Sequence, residues 1–259
     1  MPTDKSIIET YNKHAKAYAK RQRDNSNIYR VYLERPAIFG NLSKLQGKDI
    51  LCVGCGSGEE IERIKSLGAK KVVGTDISEK LIEIAKESYP NFDFRVMDAE
   101  NLDFPKESFD LVFSSLTMHY LGSWLKTLRS VNRVLKREGI FIFSITHPFF
   151  SAIQKKEDDQ IKSRIFGYKD IKNTADIEIY GDYLNSYRLD AFVSKELTVS
   201  NYHRPLSIII KEFIESGFEL IDMVEPKAQD ESKDKYYKFW AIHQKIPEFM
   251  IFKLKKRGQ

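Results

Sequence analysis

Three glycines and two acidic residues are the first candidates for chemistry in this chain. Gly54, Gly56 and Gly58 alternate with Cys55 and Ser57, directly after the apolar run Ile50-Leu51-Cys52-Val53. Glycine turns tightly and lets backbone approach a ligand with no Cβ in the way. Asp76 closes the next apolar run, Lys71-Val72-Val73-Gly74-Thr75, and Asp98 closes a third, Phe92–Met97. When a helix joins two parallel strands, both strand ends open on one edge of the sheet, so glycines and Asp76 face one crevice. A carboxylate there suits the ribose hydroxyls of an adenosine-containing cofactor. A nicotinamide site would want a third glycine where Glu59 stands, and a carboxylate aimed at a pyrophosphate is repulsive. A cofactor without phosphates removes the objection.

These residues need a frame. Residues 5–24 carry Ile8, Tyr11, Ala15 and Tyr18 at helical steps, and 29–46 predict a second helix, broken near Pro36 and ended by Gly47. Strands are expected at 49–53, 71–75, 92–97, 109–113 and 140–145. Helices at 59–67, from the N-cap Ser78 to Pro90, and at 121–136 alternate with them. That rhythm predicts an α/β, Rossmann-like, doubly wound and mostly parallel sheet. It lapses at 147–204, which is expected to be an inserted cap with Ile177–Leu184 and Ala191–Asn201 paired as a hairpin. A helix at 206–216, a strand at 218–224, a helix at 236–245 and a last strand at 249–254 complete the sheet, for seven strands with the last antiparallel. The expected organisation is therefore 1–46 as lid helices, 47–146 as cofactor-binding core, 147–204 as cap and 205–259 as completion of the core.

Taken together, the stations resemble the class I S-adenosylmethionine-dependent methyltransferases, of the small-molecule, methyltransferase-domain type 11 kind. Val53-Gly54-Cys55-Gly56-Ser57-Gly58 is similar to that family's first motif, and Asp76-Ile77 to its ribose and adenine contacts. Asp98-Ala99 is similar to the pair that meets the adenine edge. Phe109–Tyr120, with Ser114-Ser115 at its centre, is similar to the strand-four motif that passes beneath the methyl donor. Tyr11 and Tyr18 look like the aromatic residues of the family's lid helix. The resemblance implies S-adenosylmethionine as cofactor, S-adenosylhomocysteine as product, and in-line methyl transfer. It implies no metal, and the five histidines show no paired ligand spacing.

On the acceptor side the candidates are His119 and Tyr120 after strand four, His147 after strand five, and His203 with Arg204, whose guanidinium could hold an anionic acceptor. For each, a structural role competes with the functional one. Cys52 and Cys55 have Cys-x-x-Cys spacing, but zinc would need two further ligands and Cys52 lies in a buried strand. The aromatic-rich flanks, with 17 Phe and 13 Tyr in the chain, favour a small, partly apolar or aromatic acceptor. A nucleic-acid acceptor is the alternative. The charge excess of +5 is modest, and neither an Asn/Asp-Pro-Pro-aromatic turn nor a Pro-Cys stands at the expected places. A non-catalytic binding protein on the same fold would have lost the glycines or Asp76. No apolar run reaches the roughly 18 residues of a membrane span, no secretory signal is visible, and a cytoplasmic protein is expected.

Overall fold

The structure, a computed structural model, describes residues 5–42, 44–157, 162–172, 176–192 and 198–258. Helix α1 (Lys5–Arg23) leads through a π-helical turn (Arg30–Glu34) into α2 (Arg35–Gly40). Pro36 does not break this second helix. It occupies the first turn of α2, where a missing N–H costs nothing. The alternation follows as β1 (Asp49–Val53), α3 (Glu59–Ser66), β2 (Lys71–Asp76), α4 (Glu79–Ser88), β3 (Asp93–Val96), β4 (Phe109–Ser114), α5 (Trp124–Val134) and β5 (Leu135–Thr146). After α6 (Pro148–Ala152) come β6 (Gln154–Glu157), β7 (Lys162–Ile165), β8 (Gly167–Asp170), β9 (Ile177–Tyr180), β10 (Tyr187–Phe192) and β11 (Thr198–His203). The chain ends through α7 (Leu206–Glu215), β12 (Phe218–Val224), α8 (Tyr237–His243) and β13 (Phe249–Lys256).

The main sheet has seven strands in the order β12-β13-β5-β4-β1-β2-β3. Only β13 runs antiparallel to the others. Because β1 is buried on both faces, its side chains divide between two cores. Leu51 and Val53 join Trp124, Leu128 and Phe213 from α5 and α7, whereas Ile50 and Cys52 join Ile61, Ile64 and Ile82 from α3 and α4. Winding reverses between β1 and its two neighbours, β2 and β4. A crevice opens at the carboxyl ends of the strands at such a point.

Two expectations change. Helix α5 stops at Val134, not near 136, and β5 begins at Leu135, not Ile140. Phe109 pairs with Leu135 but Leu111 pairs with Ile140, so the intervening residues loop out as a bulge with Glu138 at φ 63°. The helical periodicity of α5 runs on into residues that the sheet captures. In the cap, β9 pairs with β8, and β10 pairs with β11, so the expected 177–184 with 191–201 hairpin does not form. Residues 193–197 of that expected hairpin lie outside the described residues. Alternating apolarity marks a strand without naming its partner, and Asp182 instead gathers Asn185 through backbone and side-chain bonds of 3.0–3.2 Å.

Candidate functional site

A cavity of about 660 Å³ lies at the carboxyl ends of β1, β2 and β4. Val53 ends β1 and hands the chain to Gly54 and Gly56, whose φ angles of 68° and 55° belong to the left-handed region. Both glycines line the cavity. A Cβ on Gly56 would come within 3.2 Å of the Tyr18 ring, and one on Gly54 within 2.1 Å of Thr117 Oγ1. The turn is locked to β2 by its own amides. Cys55 N–H donates to Thr75 O at 2.9 Å, and Gly56 N–H donates to Asp76 Oδ2 at 2.9 Å. The other oxygen of Asp76, Oδ1, accepts Ser78 N–H at 2.9 Å. Burial pushes the Asp76 carboxyl above its usual range, and these backbone donors pull it back only in part.

Ile77, Asp98 and Ala99 also line the cavity, as do Ser115 and Tyr120. Asp98 Oδ1 accepts Glu100 N–H at 2.9 Å, which sets the carboxylate at the mouth of β3. Cys55, Gly58 and Ser114 are not among the lining residues. The Cys55 thiol turns into the core beside Ile61, and Gly58 backs onto Phe94 and Tyr89. Both cysteines are free thiols, pushed up in pKa by burial. Four further residues line the cavity that motif reading did not single out: Ile7, Leu81, Met97 and Leu121. Leu116 has φ 51°, a strained value for a branched side chain, and is held there by Ser144, which accepts its N–H through O at 3.2 Å and Oγ at 3.0 Å.

Helix α1 closes the cavity. Tyr11 meets Tyr18 edge to face at 5.5 Å and Tyr120 at 5.9 Å. Burial raises the pKa of all three phenols, so they are neutral. Asn12 latches the helix in place: its Oδ1 accepts Ser78 Oγ–H at 2.6 Å and Lys80 N–H at 3.3 Å. Ser78 is also the N-cap of α4.

Behind the cavity lies a buried charge network that sequence reasoning missed. Arg30 donates to Gln22 at 2.8 Å, to Ser115 Oγ at 3.1 Å and to Glu60. Burial opposes its charge, but Glu60 and Glu34 outweigh that and push its pKa up. Glu34, 0% exposed, accepts Ser115 Oγ–H at 2.8 Å and Ser144 Oγ–H at 2.6 Å. The only signal in sequence is the Arg30–Glu34 spacing of one helical turn, which equally describes a solvated pair.

The acceptor-side candidates separate. Tyr120 reaches the cavity; His119, His147 and His203 do not line it. His119 stacks on Tyr120 with centroids 4.3 Å apart, and its Nδ1 accepts Thr146 N–H at 3.3 Å. Burial pushes its pKa down to about 3, so the ring is neutral. His147 is the N-cap of α6: Nδ1 accepts Phe149 N–H at 3.0 Å and Nε2 meets Glu225 at 2.9 Å. His203 spends both nitrogens on Ser151 Oγ at 2.7 Å and Tyr183 O at 2.9 Å. Among the described residues no cluster of His, Cys, Asp and Glu is placed to hold a metal, and no helix is long and apolar enough to cross a membrane.

A glycine turn and acidic strand ends around one lidded crevice, on a sheet with a single antiparallel strand, define a methyltransferase architecture. Residues 51–143 match the family model described as a methyltransferase domain. A Listeria monocytogenes structure assigned to the S-adenosylmethionine-dependent methyltransferases is 25% identical, with a TM-score of 0.71 over 87% of this chain and 97% of that one. A Mesorhizobium loti S-adenosylmethionine-dependent methyltransferase is 26% identical, with a TM-score of 0.68 over 86% and 97%. A Haemophilus influenzae protein of uncharacterised function is 28% identical over 225 residues, 82% of this chain and 83% of its own. Residues 51–143 are thus similar to a methyltransferase domain and the fold is that of S-adenosylmethionine-dependent methyltransferases: the chain is an enzyme, and S-adenosylmethionine is its cofactor.

Proposed function

We propose that this enzyme methylates a small, partly apolar or aromatic acceptor in the cytoplasm, with the cofactor held in the cavity between the glycine turn and α1. The observation that carries the reading is one cavity that gathers Gly54, Gly56, Asp76 and Asp98-Ala99 under Tyr11 and Tyr18. The residues fit the cofactor. Gly56 leaves open the approach that a Cβ would obstruct, and Asp76 keeps lone pairs for two ribose hydroxyls after accepting from Gly56 and Ser78. Two carboxylates in a mostly apolar cavity also favour a cationic ligand over a pyrophosphate. Ile77 and Ala99, which line the cavity, would hold the adenine, and Ser115 would lie on the side of the transferring group. When bound, the cofactor supplies a methyl group on a positively charged sulfur.

What remains for the protein is alignment and exclusion of water. Tyr11, Tyr18 and Tyr120 do both as neutral phenols, presenting ring faces and hydroxyl donors where the acceptor enters. None of the three supplies a base near neutral pH, and His119 is stacked behind Tyr120. Acceptors whose nucleophile is already free of its proton are therefore favoured.

Calorimetry with S-adenosylhomocysteine tests the cofactor site, and absence of binding to the folded chain refutes it. A panel of small acceptors read by S-adenosylhomocysteine release tests the acceptor class. Salt-dependent binding to single- or double-stranded nucleic acid, with methyl incorporation into it, would replace the small molecule by the polymer.

A further inference from the structure

Two unusual backbone conformations meet at one carboxylate. Glu34 is fully buried and ends the π-helical turn, and Leu116 has its φ of 51° at the cavity wall. Both conformations are rare and concentrate at functional sites. Two hydroxyls join them. Ser115 Oγ–H and Ser144 Oγ–H both donate to Oε1 of Glu34, at 2.8 and 2.6 Å. With its one proton spent there, Ser144 Oγ presents a lone pair to Leu116 N–H at 3.0 Å. Ser115 Oγ likewise accepts from Arg30 at 3.1 Å. Glu34 therefore fixes the direction of every hydrogen bond in the chain that ends on Leu116.

Strands β4 and β5 pair as far as Ser114 with Phe143. Residues 115 and 144 follow directly, and the carboxylate bridges them where the strand pairing stops. The Leu116 side chain packs against the cluster of Leu33, Phe239 and Phe249, while Thr117 Oγ–H reaches Gly54 O at 3.4 Å and Ser115 O at 3.2 Å. Rotation at Leu116 would re-aim Thr117, which also lines the cavity. Strand order then says which part of the ligand this wall meets. Asp98, Asp76, Gly54 and residues 115–117 follow β3, β2, β1 and β4, which are neighbours in that order. Strands stand roughly 4.8 Å apart, so two spacings, about 10 Å, separate residues 115–117 from Asp76 on the side away from Asp98. With the ribose at Asp76 and the adenine by Ala99, the sulfur end of the cofactor extends toward residues 115–117.

We propose that Glu34 is a positioning residue for methyl transfer: acting through Ser144 and Ser115, it holds residues 115–117 in the conformation that receives the sulfur-bound methyl group. The assignment rests on the function proposed above, because that reading orients the cofactor in the cavity. Glu34 itself does not line the cavity. It acts at one remove, through hydroxyls on two strands.

The test compares calorimetric affinities of the full chain for S-adenosylmethionine and S-adenosylhomocysteine, which differ only in the methyl group and the charge it brings. A merely structural role moves both affinities together, whereas a role at the methyl end changes their ratio. Ser144→Ala deletes the hydroxyl without changing charge and leaves Leu116 N–H only Ser144 O, at 3.2 Å. The strain at Leu116 and the lost hydrogen bond are similar in size, so the wall relaxes. Affinity for S-adenosylmethionine relative to S-adenosylhomocysteine should fall about threefold or more. Glu34→Gln, which also removes a buried negative charge, should lower the ratio at least as far. Should that variant fail to fold, Ser144→Ala decides. Thr127→Val is the control: it deletes a hydroxyl that is equally buried, has no hydrogen-bond partner among the described residues and does not line the cavity. It should keep the parent ratio. A ratio within about 1.5-fold of the parent in folded Ser144→Ala, or an equal change in Thr127→Val, overturns the proposal. A parent chain that binds neither ligand would instead strike the functional reading, and a parent that binds both, with the ratio unmoved in Ser144→Ala, strikes the role of Glu34 alone.

Discussion

Replacing Asp76 by Asn tests the centre of the site, because it changes charge and hydrogen-bond polarity while keeping shape. Asp76 Oδ2 accepts Gly56 N–H and Oδ1 accepts Ser78 N–H, each at 2.9 Å. An Asn side chain can accept only one of these through its oxygen; its amino group must face the other N–H. One buried backbone donor is then unpaired, at a cost of about 1–3 kcal/mol in stability. Relief of the buried charge offsets part of this, since burial already raises the Asp76 carboxyl. For ligand, the amino group also replaces one acceptor that a ribose hydroxyl would use. Losing one hydrogen bond to a charged group is worth about 1.5–3 kcal/mol, or roughly 10- to 150-fold in Kd. Calorimetry with S-adenosylhomocysteine, beside urea unfolding of the same preparation, reads both effects. If the Asp76→Asn variant unfolds cooperatively and binds within a factor of two of the parent, Asp76 does not hold the ligand.

Three further changes follow from the same geometry. Gly56→Ala forces a side chain into the left-handed region at φ 55° and against Tyr18; it should weaken S-adenosylhomocysteine about fivefold or more, and unchanged calorimetry would refute the close approach of the lid. Arg30→Met leaves Glu34 and Glu60 without their buried cation and should cost about 3–5 kcal/mol by urea unfolding; a loss under about 1 kcal/mol would place those charges in solvent. Glu248 is raised to about 8 by burial, so between its ordinary value and pH 8 the folded state holds a proton that the unfolded state has released. Its contribution is lost as pH rises, and Glu248→Gln should stabilise by about 4 kcal/mol at pH 8 but little at pH 4.5, an equal gain at both pH values being the refuting result.

The cofactor half of the molecule was legible because two periodicities and a turn signal agree there. Ile50–Val53 had to be buried on both faces, the glycines had to turn, and Asp76 had to follow on the same sheet edge. Ser78 is the N-cap that its residue type predicts, accepting Leu81 N–H at 3.2 Å. Where a long-range partner decides the outcome, local pattern was not enough. The helical stripe of α5 continues past Val134, yet pairing of Leu135 with Phe109 takes those residues into β5. Arg30, Glu34 and Glu60 read as surface charges one by one, and only folding brings the π-helical turn and α3 together to bury them. His147 and His203 follow strands, a position that points toward the crevice, but their ring nitrogens are consumed by Phe149, Glu225, Ser151 and Tyr183.

That buried network also bears on how the cavity is closed. Arg30 joins Gln22 near the end of α1, Glu60 in the helix after the glycine turn, and Ser115 beyond β4. At the other end of α1, Asn12 takes the hydroxyl of Ser78 and so sits on the N-terminus of α4, two residues from Asp76. Lifting α1 therefore breaks hydrogen bonds at both ends and uncovers Ile7, Tyr11 and Tyr18. At about 1 kcal/mol net per hydrogen bond, plus about 1.5 kcal/mol or more for each large apolar side chain exposed, closure is favoured by several kcal/mol before any ligand is present. The same residues that position the glycine turn hold the lid over it, so the cavity is preformed. Ligand exchange must then draw on the opening of α1, and mutations at Asn12 or Gln22 act on exchange rates before they act on the contacts within the cavity.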